Sequence, residues 1–415
     1  MTPPDSNEEP RLSLDRLWVL MVTAFVDMIG FALVLPLLPY YATRFGATPF
    51  TVGLLVGIFA FAQMVTAPLW GRLSDSSGRR PVILGGQLLA ACAFIVFAFA
   101  DSVVLLFLCR LLQGAGGGTS SVTAAYVSDS AAPQERAKAL GWLTACSSAG
   151  VMIGPAIASF TVGYGYELPG LIAAGFCVLN VLFAWRWLPE SAPPKAAGSA
   201  SDPQKVRQPL HLAIIDVVRQ AGKPAHSLIW IYSCGMMAFM AMNGVLALYL
   251  ADTFSIDEEQ IGLFYTFIGL LSVIMRAVIL GQMVKMLGEV RVMRCGALSL
   301  ASGMMLAPFA TNLWQFLPIV VLVPVGTALL FPSTTSLISR YSPDGEVGQS
   351  LGVQQAFGGA SRLLGPIWGG FVYQAIGHGV PFWIGGGLVL LAASIALFHL
   401  QPSPKRRVER PASSS

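Results

Sequence analysis

The sequence predicts an all-α integral membrane protein, with twelve transmembrane helices in two pseudo-symmetric six-helix bundles. Three observations predict this fold class. The chain is 55% hydrophobic and only 11% charged, whereas about a quarter of the residues of a soluble domain are charged. Apolar runs of roughly 20 residues, each long enough to cross a bilayer as a helix, recur along the whole chain. Several residues of the first half also recur at a fixed spacing in the second half.

The apolar runs lie between short polar breaks, and each run predicts one spanning helix. In chain order the predicted spans are 17–40, 51–70, 82–100, 103–128, 140–161, 169–188, 228–251, 260–282, 293–310, 314–338, 348–374 and 381–400. Residues 1–16 are predicted to form a polar cytoplasmic leader, because the first apolar run is too long to be the core of a signal peptide. Residues 401–415 are predicted to form a basic cytoplasmic tail.

The longest connection, 189–227, separates a first bundle over 17–188 from a second bundle over 228–400. Its first part, LPESAPPKAAGSASDPQK, has the composition of a flexible linker. Its second part, QPLHLAIIDVVRQAG, has apolar residues at helical spacing and predicts an amphipathic helix on the membrane surface. A helix that only tethers the two bundles is the alternative.

Lys and Arg are concentrated in the loops on one side of the membrane. Since basic loops are retained in the cytoplasm, both termini are predicted to be cytoplasmic, in the inner (plasma) membrane. Only Arg44 lies on the other side, and only Arg110, Arg276 and Arg362 lie within spans. The net charge of +4 follows from this topology, so no nucleic-acid partner is predicted. The six cysteines are spread singly over different spans, which predicts neither a disulfide nor a metal site.

The two halves are related by markers that recur at a nearly constant offset of about 210 residues. Gly71 and Gly78 recur as Gly281 and Gly288, and Gly154-Pro155 recurs as Gly365-Pro366. Such a duplication predicts two facing bundles with a binding site near the midplane, as in alternating-access transporters.

The stretch Gly71–Pro81, GRLSDSSGRRP, resembles the loop signature of the major facilitator superfamily. Further stretches are similar to the twelve-helix drug:proton antiporters of that superfamily: DMIGFALVLPLLP at 27–39, Arg110-Leu-Leu-Gln113-Gly114, and Gly141, Gly150, Gly154 and Pro155. The resemblance covers the whole membrane part and is strongest to the tetracycline-efflux type. It implies the major facilitator fold, with protons as the coupling ion and no cofactor. The last motif departs from the family pattern, since Ala158-Ser159 replace its final two glycines.

Asp27 is the candidate proton carrier. It is the only carboxylate well inside a predicted span, where an ionisable group is costly and usually functional. A purely structural partner for a nearby arginine is the alternative. The implied fold brings the first and fourth helices together, so Arg110 is expected to contact Asp27 and tune its proton affinity.

Substrate-binding candidates are polar or flexible side chains within the spans: Gln63, Gln113, Met236, Met240, Asn243, Gln354 and Arg362. The glutamines could bond a substrate or only join helices. The methionines and the asparagine share one helical face, which suits a promiscuous apolar pocket, although lipid-facing or core methionines are common. Arg362 is central in its span and could select anions or cap carbonyls near Pro366. Arg276 is expected to reach the cytoplasmic surface.

Gating candidates fall into two groups. The first is the charged loop and its expected contacts: Gly71, Asp75, Gly78, Arg79, Arg80 and Arg136. By resemblance, Asp75 and the arginines latch the cytoplasmic side when the transporter faces outward, with a helix N-terminus or Arg136 as the partner of Asp75. The second is the helix-packing set Gly150, Gly154, Pro155, Gly365 and Pro366, expected to form the moving contact between the bundles.

The sequence thus predicts a proton-coupled antiporter, functional as a monomer, that exports small amphipathic compounds or drugs. A proton symporter importing organic anions and a non-transporting sensor or scaffold are the alternatives. An enzyme is disfavoured, since no nucleophile, metal or nucleotide motif occurs. Tetracycline exporters carry acids in helices three and nine, where this chain has Ala93 and Leu300. Metal-chelated tetracycline is therefore in doubt as a substrate.

Overall fold

The computed structural model describes residues 17–131, 135–190, 210–343 and 346–399, and these residues form helices joined by short turns. The helices of the first half are α1 Trp18–Arg44, α2 Pro49–Ser77, α3 Arg79–Ala98, α4 Val103–Gly117, α5 Ser120–Ser130, α6 Arg136–Val162 and α7 Glu167–Trp187. A short helix, α8 Leu210–Arg219, precedes the second half. The predicted leader, most of the linker's first part and the basic tail lie outside the described residues.

The second half contains eight α-helices: α9 Pro224–Phe254, α10 Glu258–Ile274, α11 Leu280–Leu287, α12 Glu289–Leu306, α13 Leu313–Val320, α14 Leu322–Tyr341, α15 Val347–Ala375 and α16 Val380–His399. A π-helical turn, Met275–Ile279, joins α10 to α11. Three of the predicted spans are therefore interrupted helices: α4 with α5, α10 with α11, and α13 with α14. The all-α prediction is confirmed in the part of the chain that the structure describes.

Ten helical segments of the described chain are long and apolar enough to cross a membrane. The two remaining predicted spans correspond to α15 and α16. Glycine and glutamine are frequent in α15, VGQSLGVQQAFGGASRLLGPIWGGFVYQA, which lowers its apolar character. In α16, the residues Val380–Ser394 form a shorter apolar helical stretch.

The interruptions have local causes. The fourth span breaks at Gly118-Thr119, directly after two glycines, and glycine is a poor helix former. In the tenth span Pro324 has no N–H to donate to the carbonyl of Val320, where α13 ends. The predicted loop after the second span is instead mostly helical, since α2 continues to Ser77 and only Gly78 interrupts the chain before α3.

Helices of each half pack mainly with one another. In the first half α1 contacts α6 and α7, and α3 contacts α4 and α7. In the second half α9 contacts α15 and α16, and α12 contacts α14. The two bundles meet through α2 against α15 and α6 against α10, which is the pseudo-symmetric pairing that a duplicated unit would give.

The bundles have two distinct ends. We call the end with Gly78, residues 188–190 and Gly288 the linker end, and the end with residues 45–48 and 255–257 the far end. Hydrogen bonds join the bundles at the far end, where Tyr40 Oη donates to the Ile256 carbonyl at 2.8 Å and Phe50 N donates to Gln374 Oε1 at 3.2 Å. This end is closed.

The helices are separated at the linker end. A Cβ atom added at Gly71 of α2 or at Gly352 of α15 would meet no other atom within 4 Å. Leu69 and Leu73, in the same half of α2, are 57% and 47% exposed. The conformation is therefore closed at the far end and open at the linker end.

Candidate transport site

Asp27 lies within the first half of α1, and its side chain is half-buried. The Gln87 side chain of α3 and the Cys177 thiol of α7 lie near its carboxylate. Every other carboxylate in the described residues lies in a loop, in the short helix α8, or close to a helix end. Asp27 is therefore the carboxylate placed deepest in the bundle, as the sequence predicted.

Arg110 is only 1% exposed, and no ion pair joins it to Asp27 in the described residues. Its Nε donates to the Leu55 carbonyl of α2 at 3.2 Å, its Nη1 donates to Gln113 Oε1, and its guanidinium lies 4.7 Å from the centre of the Phe59 ring. The expected contact between Arg110 and Asp27 is therefore wrong for this conformation. The reason is that Arg110 lies on the face of α4 that packs against α2.

The glutamines mainly join helices. Gln63 Nε2 donates to the Gly117 carbonyl at 3.1 Å, linking α2 to α4. Gln113 is buried beneath Arg110, and Gln354 is 0% exposed and donates to Thr335 Oγ1 of α14 at 2.7 Å. Gln113 Nε2 and Gln354 Oε1 each remain buried without a partner. Of the two alternatives for these residues, the conformation favours helix joining.

The candidates of α9 and α15 lie along the inner packing of the second bundle. Met236 is buried, whereas Met240 and Asn243 are half-buried. The amide of Asn243 bonds to the Phe239 carbonyl of its own helix at 2.9 Å. Arg362 is half-buried in the middle of α15 and lies within electrostatic range of Tyr232 on α9.

A cavity of about 620 Å³ lies in the second bundle near the linker end. It is bounded by α9, the π-helical turn, α14 and α15. Its lining residues are Tyr232, Arg276, Phe331, Pro332, Thr335, Ser336, Ser339, Arg340 and Leu351. Arg276 is exposed and forms part of this cavity wall, and its expected reach to the cytoplasmic surface stays a prediction.

The charged segment around Gly78 is held by the candidate Asp75 and by two residues that the sequence did not single out, Asp129 and Glu190. Arg79 pairs with Asp75 at 3.0 Å and with Asp129 of α5 at 3.2 Å. Arg136 begins α6 and is exposed, and no ion pair joins it to Asp75 in the described residues. In this conformation Asp75 faces the arginine one turn along the chain, and the expected latch with a helix N-terminus or Arg136 stays a prediction for the state that is closed at the linker end.

Glu190 caps the N-terminus of α3. Its carboxylate accepts hydrogen bonds from the backbone N–H groups of Arg79 at 2.8 Å and Arg80 at 3.1 Å. Gly78 has a φ of +98°, a conformation that favours glycine, and a Cβ atom there would lie 2.6 Å from Glu190 Oε2. Gly71 has neither a positive φ nor a neighbouring atom that an added Cβ would meet. Of the two repeated glycines in the loop signature, only the second is needed by the backbone.

The second bundle repeats this arrangement with the charges reversed. Gly288 has a φ of +81°, and Glu289 begins α12. Glu289 Oε1 pairs with Arg340 of α14 at 2.9 Å and accepts a hydrogen bond from Ser336 at 3.0 Å. Arg79 with Asp129 in the first bundle thus corresponds to Glu289 with Arg340 in the second.

The glycines of the helix-packing motif do not form the contact between the bundles. A Cβ atom at Gly150 or Gly154 would collide with backbone carbonyls of α1, 2.4 and 2.6 Å away, inside the same bundle. Gly365 packs against α9 in the same way. The expectation that these glycines form the moving interface is therefore wrong for the described conformation, because they face their own bundle.

The prolines of the same motif do reach the other bundle. A Cβ atom at Gly262 of α10 would lie 2.1 Å from the Pro155 carbonyl oxygen, and one at Gly53 of α2 would lie 2.2 Å from the Pro366 carbonyl oxygen. The inter-bundle contact therefore includes a glycine packed against a proline carbonyl at two symmetry-related places. Gly53 and Gly262 also lie at the repeat spacing, which is the signal that could have identified them.

Comparisons with known proteins agree with this architecture. The profile of the Major Facilitator Superfamily matches residues 20–284 and 228–414. The chain is 27% identical over 362 residues to the class G tetracycline resistance protein of Vibrio anguillarum, covering 86% of this chain and 90% of that protein. It is 25% identical over 385 residues to multidrug resistance protein 2 of Bacillus subtilis (91% and 94% covered). The fold is similar to the human organic anion transporter MFSD10, with a TM-score of 0.68 and 23% identity, covering 95% of this chain and all of that chain.

The family profile matches nearly the whole membrane part of this chain, and the alignments cover nearly the full length of each relative. The assignment therefore applies to the complete two-bundle unit. Both the apolar helices and the transporter relatives place the chain in a membrane. The chain is an integral membrane transporter that belongs to the Major Facilitator Superfamily.

Proposed function

We propose that this transporter is a proton-coupled antiporter that exports small amphipathic compounds across the inner (plasma) membrane. The observation that carries the proposal is the placement of Asp27 inside the first bundle, near the Gln87 side chain and without an ion pair in the described residues. Without an arginine partner, a carboxylate inside a membrane protein can take up and release a proton as its surroundings become dry or wet.

Export is supported by the relatives, which include tetracycline and multidrug resistance proteins. Substrate is proposed to enter at the linker end, which is open, and this end is assigned to the cytoplasm because the basic loops lie there. The transporter would then alternate between this conformation and one that is open at the far end. The identity of Asp27 as proton carrier explains how the two conformations are driven by a proton gradient.

The test is transport by Asp27→Asn in inverted membrane vesicles energised by a proton gradient. An asparagine cannot exchange a proton, so we expect gradient-driven uptake of a fluorescent amphipathic dye to fall to the background of empty vesicles. Substrate exchange without a gradient should persist, because the cavity is unchanged. Asp101→Asn, which neutralises an exposed loop carboxylate at the far end, is the matched control. Full gradient-driven uptake by Asp27→Asn would contradict the proposal.

A second candidate function is import of organic anions by proton symport. It is favoured by Arg362, a half-buried cation in the middle of α15 without an ion pair in the described residues. Inverted and right-side-out vesicles separate the two directions. Accumulation only in right-side-out vesicles would support import and contradict export.

A further inference from the structure

The cavity in the second bundle contains a cation that the surrounding residues do not neutralise. Arg276 lines this cavity of about 620 Å³, and no ion pair or hydrogen bond reaches its guanidinium from the described part of the chain. Arg340 lines the same cavity, but Glu289 neutralises it at 2.9 Å. An arginine within a membrane-spanning segment is costly unless it faces water or an anionic partner. The cavity therefore has an unmatched positive charge.

Two hydroxyl groups of the cavity wall also lack a hydrogen-bond partner among the described residues. The Tyr232 hydroxyl lies within electrostatic range of Arg276, and no described residue forms a hydrogen bond with it. Ser339 lies exposed on α14, equally without a bonded partner in the described chain. Together with Arg276, these groups supply donors and no negative charge.

The other polar groups of the wall are already engaged. Thr335 Oγ1 donates to the Phe331 carbonyl at 3.0 Å and accepts from Gln354 at 2.7 Å. Ser336 donates to Glu289, which is itself paired with Arg340. A cationic ligand would therefore find no free carboxylate here, whereas an anionic ligand would find free donors.

The rest of the wall is apolar. Phe331 packs edge-to-face against Tyr232 with 5.3 Å between ring centres, and Pro332 and Leu351 complete this side. The cavity volume is within the range of small-molecule sites. An aromatic or aliphatic body therefore fits beside the donor groups.

An irregular turn of the backbone places Arg276 at the cavity wall. Met275 is buried against Val292, Ala328 and Leu329, whereas Arg276 follows it in the π-helical turn and is exposed to the cavity. A π-helical turn contains an extra residue, which costs helix stability and is often found at functional sites. This turn places a cation at the wall of an otherwise regular span.

We infer that this cavity binds the carboxylate or sulfonate group of an organic anion, with Arg276 as its charged ligand. Tyr232 and Ser339 donate hydrogen bonds to the same group, and Phe331 contacts the apolar body of the ligand. The inference rests on the proposed function in one respect only, namely that the bound anion is a transported substrate.

The experiment compares two dyes that share a xanthene core, anionic fluorescein and cationic rhodamine 123. Binding of each dye to the purified full-length protein in detergent is measured by fluorescence anisotropy. We expect Arg276→Gln to weaken fluorescein binding by about tenfold or more, since a charge-assisted hydrogen bond is lost, and to leave rhodamine 123 unaffected. Arg276→Lys should lose less, because the charge remains. Arg291→Gln removes an exposed charge from α12 outside the cavity lining and should change neither dye.

Three results would overturn the inference: no fluorescein binding by the unmodified protein, unchanged binding by Arg276→Gln, or equal losses for both dyes. Thermal melting of each variant shows whether it is folded, and Arg276→Lys gives a second reading if Arg276→Gln does not fold. Binding in detergent needs no proton gradient, so it is independent of proton coupling. Charge-dependent binding without gradient-driven transport would contradict the proposed function alone, and gradient-driven transport without anion binding would contradict this inference alone.

Discussion

At the scale of single residues, the two ion pairs at the linker end show an interaction that both halves of the duplicated unit retain. The first bundle pairs Arg79 with Asp129, and the second pairs Glu289 with Arg340. The repeat spacing aligns Arg79 with Glu289, so the charge is reversed at this position. The structure adds that the partners at 129 and 340 are reversed with them. The pair itself is therefore retained, with its polarity exchanged.

This pairing gives a residue-scale prediction. Glu289→Arg should place two cations together and lower both the melting temperature and transport. The double variant Glu289→Arg with Arg340→Glu restores the pair with the polarity of the first bundle and should recover most of the loss. Because the Arg340 side chain is largely exposed, at 70%, the recovered stability should be about 1 kcal/mol. Thermal melting in detergent and dye transport measure both effects, and a double variant no better than Glu289→Arg would refute a direct interaction.

Individual residues also show which parts of the candidate site could be predicted from the sequence. Asp27 was identifiable because a lone acid in an apolar run is costly, and the structure places it deep in the bundle. Its neighbour Gln87 was not identified, although a glutamine in an apolar run was visible. Arg110 was assigned the wrong neighbour because a sequence gives the helix but not the face that packs against α2. Glu190 lies far from Arg79 in the chain, so its capping role depended on the tertiary fold.

At the scale of helices, two of the inter-bundle contacts are symmetric pairs of a glycine and a proline carbonyl. Gly53 faces Pro366, and Gly262 faces Pro155. Both lie in the closed half of the molecule. A small residue is needed here because a single added carbon would overlap a backbone oxygen, which a side-chain rotation cannot relieve.

The element-scale prediction concerns Gly53→Ala. The added methyl group would force α2 and α15 apart and destabilise the conformation that is closed at the far end by about 1–3 kcal/mol. We expect slower transport and a shift toward the far-end-open state, measured as increased labelling of a cysteine placed at the far end. Gly71→Ala in the same helix is the control, since a Cβ atom there meets nothing within 4 Å. Equal effects of the two substitutions would contradict the contact.

The same elements explain which parts of the fold could be predicted. Twelve apolar runs predicted the helices, because a membrane-spanning helix depends on local composition. The repeat spacing predicted the two-fold arrangement of the two bundles. Interruptions such as the π-helical turn at Met275–Ile279 depend on packing across helices and left no pattern in the sequence. The role of Gly150 was also misassigned, because a small-residue pair predicts close packing without naming the partner helix.

At the scale of the whole molecule, closure at one end and separation at the other define one conformation of a two-state cycle. The far end is joined by backbone and side-chain contacts such as Phe50 with Gln374, while the linker-end halves of α2 and α15 are apart. A transporter must exchange these two arrangements, so contacts at the far end have to be breakable. The hydrogen bond between Phe50 and Gln374 is exposed, which suits this requirement.

The last prediction tests this exchange directly. In a cysteine-free background, Phe50→Cys with Gln374→Cys should form an oxidative cross-link readily, because the two positions are in contact in the far-end-closed state. The cross-link should hold the far end closed and stop transport, and a reducing agent should restore it. Gly71→Cys with Gly352→Cys, at the open end, should cross-link poorly until the transporter changes conformation, since neither position has a neighbour within 4 Å. Continued transport with the far end cross-linked would show that the far end need not open, which would contradict alternating access for this chain.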